Sequence, residues 1–425
     1  MGIIILGFFT LLLFLGVPIA VSLGLACLFA VGVTDIFPIQ VLVQKMFNTS
    51  NSFSLMAIPF FVLAGNIMSS GGVSKRLVNF SASLFGHVAG GLAVVATTAC
   101  TFFSAVSGSA PATTAAIGGV MLKPMAEKGY DKNFSGAVVA ASGTLGLVIP
   151  PSLTMVLYGV ATGVSIGDMF IAGIIPGILM AVVLIVVESV ISRNRGYRGQ
   201  GRTTNKEKMT ALKESLWALL MPVIILGGIY SGVFTPTEAA AVSVIYGLII
   251  GIFVYKEVKI KDLPKLVLDS ANSTALIMYL MISADVLSYV LVSEQIPQSI
   301  AVSILGFSSN ANIILLLIIA LLIVFALFLN NSAAMVLFAP ILFPIIVKVG
   351  IDPLFFGIIM TMTLAVSQCT PPVALCLFVA CDLGKLKFEE LVKEVTPLVI
   401  ALFILVGVLS FLPQVVLFLP NLIRH

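Results

Sequence analysis

Four interruptions by small, polar or proline residues break otherwise apolar stretches of this chain. Two are the runs 107–111 (Ser-Gly-Ser-Ala-Pro) and 330–332 (Asn-Asn-Ser), and two are the proline pairs 150–151 and 371–372. Proline lacks an N–H donor and clashes with the preceding helical turn, so a helix opens where two prolines follow each other. Inside an apolar medium the freed carbonyl groups need partners from protein, water or an ion. The breaks therefore indicate candidate cation sites.

Oxygen-bearing residues near the breaks form two sets that suit Na⁺, a hard ion that prefers oxygen. The first set contains Ser104, Ser107, Gly143, Val148 and Pro150, and the second contains Asn330, Asn331, Gln368 and Thr370. Hydroxyl, amide and backbone carbonyl oxygens would be the ligands, and no His or Cys cluster suggests a transition metal. For each serine taken alone, the alternative is helix packing or a hydrogen bond to the preceding turn.

A carboxylate is the ligand predicted beside these cations. The half-helix after each polar interruption at 107–111 and 330–332 would begin with free N–H groups and the positive end of a helix dipole, which suits an anion. Serine and asparagine side chains there would add neutral hydrogen bonds. The candidate substrate-binding residues are Ser107, Ser109, Pro111, Thr113, Pro151, Asn331, Ser332, Pro371 and Asp285.

Asp285 is the one carboxylate that the sequence places deep within an apolar span. An ionisable residue in that position is costly, so a role in ion coupling, proton linkage or substrate handling is the functional interpretation. The alternative is a structural carboxylate with a partner. Glu188 lies close in sequence to Arg193 and Arg195, which predicts a solvated or ion-paired position at the interface.

Composition places this chain in a membrane. Of its 425 residues, 60% are hydrophobic and 9% charged, whereas about a quarter of the residues of soluble domains are charged. The net charge of +4 gives no reason to expect nucleic acid. The scarcity of buried acid, His or nucleophile constellations argues against an enzyme, and the absence of a charged pore ring argues against a channel.

Several apolar stretches are long enough to cross a bilayer as helices, which takes about 20 residues. The predicted crossings are Ile3–Val31, Phe53–Ser69, Phe134–Gly163, Met169–Ile191, Leu216–Gly232, Glu238–Tyr255, Val267–Val292, Pro353–Ala380 and Val395–Leu419. Two further stretches, Gly91–Met125 and Asn312–Val349, are broken near the middle by the polar runs. Each half is short for a full crossing, so we expect re-entrant helical hairpins; two ordinary spans joined by a loop are the alternative.

Charge and repeated motifs predict two inverted repeats. Residues 193–213 contain seven Lys or Arg, which predicts a cytoplasmic loop, a cytoplasmic N-terminus and a periplasmic C-terminus. Phe53–Ser69 then runs opposite to Val267–Val292, and each half would carry a surface amphipathic stretch before its hairpin. These stretches contain Leu77, Leu84 and Phe85 in one half and Ile296, Ile300 and Ile304 in the other.

The predicted fold is an all-α polytopic membrane protein with two inverted repeats, two re-entrant hairpins and two unwound transmembrane helices. Its parts are an N-terminal scaffold helix with a connecting arm at 1–52, a first repeat at 53–192, a cytoplasmic basic loop with two scaffold helices at 193–266, and a second repeat at 267–425. Broken helices in corresponding positions of inverted halves are the best sequence indication of a transporter's binding site.

Four motifs across the chain resemble those of the large membrane subunit of tripartite ATP-independent periplasmic (TRAP) transporters. They are the run 104–113, Gly146-x-x-Ile149-Pro150-Pro151-Ser152, Ala339-Pro340-x-x-x-Pro344 and Thr370-Pro371-Pro372-Val373. The resemblance implies an ion-transporter-superfamily elevator fold and sodium-driven uptake of carboxylates across the bacterial inner membrane. It also implies two partners, a small four-helix membrane subunit and a periplasmic substrate-binding protein.

Two departures from that family concern the substrate. Many members have an acidic residue where this chain has Asn330-Asn331, and many have glycines where it has Gln368 and Ala374. Both features resemble the sialic acid branch, which favours N-acetylneuraminate. The alternatives are a C4-dicarboxylate subunit of the same family, or a stand-alone divalent-anion/sodium symporter that needs no binding protein.

Overall fold

The structure is a computed structural model that describes residues 2–35, 38–199, 201, 203–296, 299 and 310–423. Within those residues the chain is helical and contains no strand. Seven of the described helices are long and apolar enough to cross a membrane. The all-α membrane fold predicted from composition is therefore confirmed.

Within the described residues, both repeats contain a scaffold helix, a hairpin, a broken helix and a following helix in the same order. The first has a 3₁₀ turn Phe53–Met56, a scaffold helix Ala57–Ser70, an amphipathic helix Val73–Phe85, a first hairpin of Gly91–Ser107 and Ala110–Glu127, a first broken helix of Lys132–Gly143 and Leu153–Thr162, and a long helix Ile166–Asn194. The second has a scaffold helix Leu263–Ser293, a second hairpin of Ala311–Ala326 and Asn331–Lys348, a second broken helix of Pro353–Ser367 and Leu375–Gly384, and a helix Phe388–Ser410.

Other helices surround these repeats. They are Gly2–Phe14, Ile19–Thr34 and Ile39–Ser50 before the first repeat, Asn205–Tyr230, Pro236–Ile249 and a π-helical turn Ile250–Val254 between the repeats, a 3₁₀ turn Ile260–Asp262, and short helices Pro413–Val416 and Phe418–Ile423. The domain boundaries given above stay a prediction.

Hydrogen bonds at the helix ends show that the repeats are inverted. Asn133, at the start of the first broken helix, donates to Glu390 Oε2 at 2.9 Å. Glu390 lies in the first turn of the helix that follows the second broken helix. At the opposite end, the hydroxyl of Tyr158 donates to the carbonyl of Pro353 at 2.7 Å, which joins the end of the first broken helix to the start of the second. The two broken helices therefore run in opposite directions.

The repeats also exchange contacts in a reciprocal way. The second arm of the second hairpin packs against the second half of the first broken helix, and the second arm of the first hairpin packs against the second half of the second broken helix. The long helix of each repeat likewise packs against the first half of the other repeat's broken helix. Reciprocal contacts of this kind make the hairpins and broken helices one core.

The first hairpin is re-entrant. Both of its ends lie at one residue, because Gly90 N donates to the Tyr197 carbonyl at 3.2 Å and Asp131 N donates to the Tyr197 hydroxyl at 3.0 Å. Its tip reaches only the middle of the first broken helix, where Leu153 N donates to the Gly108 carbonyl at 3.3 Å. The alternative of two full spans joined by a loop is excluded for this segment.

The prediction of one helix over Ile3–Val31 is wrong. The chain forms two helices, Gly2–Phe14 and Ile19–Thr34, that pack against each other, and the rings of Phe8 and Phe29 stack with centroids 4.2 Å apart. The break has a local cause: Gly16 has φ +78°, and Pro18 cannot continue a helix. The cytoplasmic N-terminus assumed a single crossing, so the orientation of the chain ends stays a prediction.

The amphipathic helix before the first hairpin is confirmed at Val73–Phe85, where Leu77 is buried and Phe85 is exposed. Its predicted counterpart in the second repeat includes Ile300 and Ile304, which lie outside the described residues.

Candidate functional site

The tip of the first hairpin is a tight turn that only glycine can form. Gly108 has φ +63°, and a Cβ built on it would lie 2.9 Å from the carbonyl oxygen of Pro151. Behind the turn, the hydroxyls of Ser107 and Thr113 are 2.7 Å apart, and Thr113 also donates to the carbonyl of Ser109 at 2.8 Å. The tip is thus held against the opened backbone of the first broken helix.

The tip of the second hairpin docks on both broken helices. Asn331 Nδ2 donates to Thr154 Oγ1 at 2.9 Å, and Val373 N donates to the carbonyl of Leu327 at 3.3 Å. Leu153 and Thr154 are consecutive, so the two hairpin tips meet at the start of the same half-helix. The sequence predicted that the tips contribute to one site, and the structure brings them together.

Two adjoining cavities lie between these tips and the scaffold helices. A cavity of about 160 Å³ lies against the first tip, and one of about 390 Å³ extends to the second tip. The two share Gly108, Ser109, Leu153, Ser273 and Ile277 in their linings. Every side chain that lines them in the described part of the chain is uncharged, so a ligand would meet hydroxyl, amide and backbone groups.

Most of the predicted substrate residues line these cavities. Ser107, Ser109 and Pro151 face the smaller one, and Ser109, Pro111, Asn331 and Ser332 face the larger one. Thr113 is buried behind the first tip, and Pro371 lines neither cavity. Sequence reasoning missed the scaffold wall, formed by Phe61, Val62, Gly65, Asn66, Ser273 and Ile277. The signal that could have found it is the pair Ser270 and Ser273 within a long apolar helix.

Asn66 fixes that scaffold wall. Its Nδ2 donates to Ser270 Oγ at 2.7 Å, which joins the two scaffold helices beside the cavity. A Cβ built on the neighbouring Gly65 would lie 2.9 Å from the carbonyl oxygen of Ser107. The scaffold therefore approaches the hairpin tip backbone as closely as a glycine permits.

The first candidate cation set contains a buried oxygen without a partner. Ser104 is fully buried, and among the described residues its Oγ has no hydrogen bond. Gly143 lies so close to the hairpin that an added Cβ would be 1.9 Å from Thr114 Oγ1. Pro150 is buried, and the carbonyl of Val148 faces Gly173, where an added Cβ would be 2.8 Å away.

The second candidate set contains a matching feature. Gln368 is 2% exposed, and its Oε1 has no hydrogen-bond partner within the described chain. Thr370 donates to the carbonyl of Val366 at 3.4 Å. Asn330 is exposed, and its Oδ1 accepts from Ala333 N at 2.8 Å as a helix cap, so that oxygen is already used. The membership of both cation sets stays a prediction.

The buried Oγ of Ser104 and Oε1 of Gln368, which lack hydrogen-bond partners within the described chain, suit a hard cation. A buried polar atom without a partner costs free energy of about 1–3 kcal/mol, and a monovalent cation would relieve that cost at Ser104 and Gln368. A break in the helix lies next to such an oxygen in both repeats. The donor set consists of neutral oxygens only, which suits Na⁺ rather than a transition metal.

Asp285 is only partly buried, and it has a charged and a hydroxyl partner. Its Oδ2 accepts from the hydroxyl of Thr49 and lies 3.3 Å from Lys45 Nζ. The side chains of Lys45 and Asp285 are 38% and 35% exposed. They line a separate cavity of about 240 Å³. The structural alternative, a carboxylate with a partner, therefore describes Asp285 better than a place in the substrate site.

Glu188 is a buried carboxyl group, and the prediction of a solvated or ion-paired position for it is wrong. It is fully buried rather than solvated, and its Oε2 lies 2.5 Å from Thr97 Oγ1. The helix Ile166–Asn194 extends past Glu188, so nearness to Arg193 in sequence did not decide its environment. The overlooked signal was helical spacing, since the buried residues Met180, Leu184, Glu188 and Ser192 recur every four positions.

The inverted repeats, broken helices and neutral cavity between core and scaffold define a secondary transporter of the membrane. Residues 6–415 match the family described as "Tripartite ATP-independent periplasmic transporter, DctM component". The chain belongs to this family of TRAP transporter large permeases. It is a multi-pass membrane transporter and not an enzyme.

Similar curated proteins have different named substrates. The chain is 43% identical to the isethionate TRAP transporter permease protein DctMQ of Oleidesulfovibrio alaskensis, over 98% of this chain and 66% of that protein. It is 38% identical to the C4-dicarboxylate TRAP transporter large permease protein DctM of Rhodobacter capsulatus, over 99% of each. It is also 38% identical to the sialic acid TRAP transporter large permease protein SiaM of Vibrio cholerae, over 97% of this chain and 96% of that protein.

A solved structure shares the fold. The YdaH transporter of Alcanivorax borkumensis superposes with a TM-score of 0.60, over 87% of this chain and 86% of that one. The sequence identity is 14%, so this likeness concerns the fold alone.

Proposed function

We propose that this chain carries out sodium-coupled uptake of a small organic anion across the bacterial inner membrane. One observation carries the proposal: each inverted repeat holds a buried side-chain oxygen, at Ser104 and at Gln368, that has no hydrogen-bond partner among the described residues. Both residues belong to the candidate cation sets, and both lie in segments next to the opened backbone. Two bound Na⁺ ions would satisfy these oxygens and order the hairpin tips.

The anion binds between the tips in this proposal. The arm Ala110–Glu127 begins at the tip with Pro at its second position, and Asn331–Lys348 begins at the other tip. Helix N-termini present unpaired N–H groups and a positive dipole to a carboxylate. Since the described cavity lining has no charged side chain, the ions supply the remaining positive charge. Substrate binding would thus require sodium.

Transport would occur by an elevator movement of the hairpin-bearing core against the scaffold. The interface supports this because Gly65 and Ser107 meet through a small residue and a backbone carbonyl rather than through interlocking side chains. Because no side chains interlock at this contact, the core can slide past the scaffold. The basic segment 193–213 would lie in the cytoplasm, according to the positive-inside rule.

Two partners belong to the proposal. A soluble periplasmic binding protein would deliver the anion, and a small four-helix membrane subunit would enlarge the scaffold. Membership of the TRAP family supports both. A stand-alone sodium symporter is the competing proposal, and it would transport without a binding protein.

Three anions are candidate substrates. The pair Asn330-Asn331, with Gln368 and Ala374, favours N-acetylneuraminate by resemblance to the sialic acid branch. Relatives of equal or higher identity are named for isethionate and C4-dicarboxylates. All three are small organic anions that the neutral cavity can bind through hydroxyl and amide groups. Competition by each unlabelled anion against labelled uptake would distinguish them.

Uptake should stop when Na⁺ is replaced by choline. The chain would be reconstituted in liposomes with its small subunit and binding protein, and labelled anion uptake measured under an imposed sodium or proton gradient. Unlabelled N-acetylneuraminate, succinate and isethionate would compete in parallel. Transport that continues at the same rate in choline under a proton gradient would contradict sodium coupling. Equal uptake without the binding protein would favour the stand-alone symporter.

Replacing Asp285 by Asn is expected to have a small effect. An ion pair that is more than one-third exposed contributes about 0.2–1 kcal/mol, and Asp285 is separate from the substrate cavities. Uptake and its sodium dependence should stay within about twofold of wild type, with a slight fall in melting temperature. Complete loss of uptake in a folded variant would show that Asp285 takes part in transport.

A further inference from the structure

Glu188 lies where three helices of the core meet. It is fully buried on the long helix Ile166–Asn194 and contacts Thr97 on the first hairpin and Ser142 on the first broken helix. Thr97 and Ser142 are themselves fully buried. The proposed sodium and anion sites make no use of this carboxyl group.

The three side chains form a closed set of oxygen contacts. Glu188 Oε2 lies 2.5 Å from Thr97 Oγ1, Thr97 Oγ1 lies 2.7 Å from Ser142 Oγ, and Ser142 Oγ lies 3.4 Å from Glu188 Oε1. Three links need three protons, and the two hydroxyls supply two. A protonated carboxyl supplies the third, and the ring then closes in either direction. An ionised carboxylate would leave one link unmade.

Glu188 has no cationic partner within the described residues. Among the residues that the structure describes, none of the ion pairs includes it, and an unpaired buried charge is far more costly than a neutral acid. The nearby titratable group is the Cys100 thiol on the same hairpin arm as Thr97. The other titratable groups on the helices packed against Ile166–Asn194 are Lys132, Tyr158, Lys206, Glu207, Lys208, Lys213, Glu214, Tyr230, Glu389, Glu390, Lys393 and Glu394.

The ring lies directly behind the first candidate cation set. Ser142 immediately precedes Gly143, and Thr97 is two helical turns before Ser104 on the same face, about 10 Å along the helix. A negative charge at that distance in a protein interior would attract a cation bound near Ser104. A neutral Glu188 links the three helices by hydrogen bonds and does not attract the cation electrostatically.

We propose that Glu188 is a proton-binding site whose carboxyl group is protonated at neutral pH and completes the ring with Thr97 and Ser142. The bound proton comes from water, so no further reactant is needed. The site is distinct from the sodium and anion sites, and its protonation state can be measured without any transport assay.

Infrared spectroscopy of the purified chain in nanodiscs of ether-linked lipids, which have no ester carbonyl band, tests this directly. A protonated carboxylic acid has a C=O stretching band apart from the amide bands, and exposed carboxylates do not contribute to it at neutral pH. Wild type should show the band at pH 7, Glu188→Gln should lose it, and the matched control Asp285→Asn should retain it. Since glutamine resembles the neutral acid, Glu188→Gln should keep a melting temperature close to wild type, whereas Glu188→Ala should lower it clearly.

The proposal is overturned if wild type lacks the band, if the band survives in Glu188→Gln, or if Glu188→Gln is as unstable as Glu188→Ala. Should Glu188→Gln fail to fold, Thr97→Val keeps the carboxyl but removes a hydrogen-bond partner. The band should then shift, and an unshifted band would equally refute the ring. Failure of sodium coupling in the uptake assay would leave these spectra unchanged, so the two proposals can fail separately.

Discussion

Uptake is expected to fall about 5- to 100-fold when Gly65 is replaced by leucine, while the protein still folds. A Cβ at this position would already lie 2.9 Å from the carbonyl oxygen of Ser107, and the rest of a leucine side chain would enter the cavity of about 160 Å³ beside it. Overpacking of this kind costs about 1–3 kcal/mol, and about 1.4 kcal/mol is a tenfold change. The obstruction lies where the core must pass the scaffold.

The measurement is uptake in liposomes by the assembled transporter, together with melting temperature and yield of the purified variant. Gly227→Leu is the matched control, because Gly227 also lies in a scaffold helix and an added Cβ would meet nothing within 4 Å. Gly65→Ala should give an intermediate rate. Normal uptake by Gly65→Leu would show that this contact does not lie on the path of the moving core.

Sodium affinity is expected to fall about 10- to 100-fold when Ser104 is replaced by alanine. Its buried Oγ has no partner within the described chain, so this change removes no internal hydrogen bond and leaves only a small hole. An interaction between a polar group and a charged one contributes about 1.5–3 kcal/mol, which is about one to two powers of ten in affinity. Gln368→Leu should have a comparable effect in the second repeat.

The readout is the sodium concentration for half-maximal uptake at saturating substrate, with the sodium dependence of melting temperature as a second measure. Ser81→Ala is a close control, since Ser81 is also fully buried with an unpartnered Oγ but lies on the amphipathic helix Val73–Phe85. An unchanged sodium requirement in Ser104→Ala, or an equal change in Ser81→Ala, would remove Ser104 from the cation site.

Local chemistry in the sequence predicted the parts of the fold that depend on backbone breaks. Paired prolines at 150–151 and 371–372 remove donors and open the helices wherever those helices pack. Gly108 permits a left-handed turn between two short apolar arms, so a hairpin is the outcome. Gly16 and Pro18 also favour a helix break at residues 15–18. The long apolar run around them nevertheless led to the prediction of one span.

Side-chain environments were harder to predict because they depend on which helix covers which face. Asp285 is surrounded by apolar residues in sequence, yet the helix Ile39–Ser50 brings Lys45 and Thr49 to it. Glu188 is close to arginines in sequence, yet its face of the helix turns toward Thr97 and Ser142. Contacts between residues more than 40 positions apart in the chain are not encoded by local pattern.

The sequence by itself determined the membrane class, the positions of the two hairpins and two broken helices, and the inverted relation of the repeats. Each of these follows from hydropathy, proline geometry and repeated motifs, which act within a few turns of helix. Only the tertiary structure decided that the scaffold residues Gly65 and Ser273 complete the cavity, and that Glu188 is buried while Asp285 is not. The physical reason is that burial and hydrogen bonding arise between helices, whose rotation and register are set by the packing of the whole core.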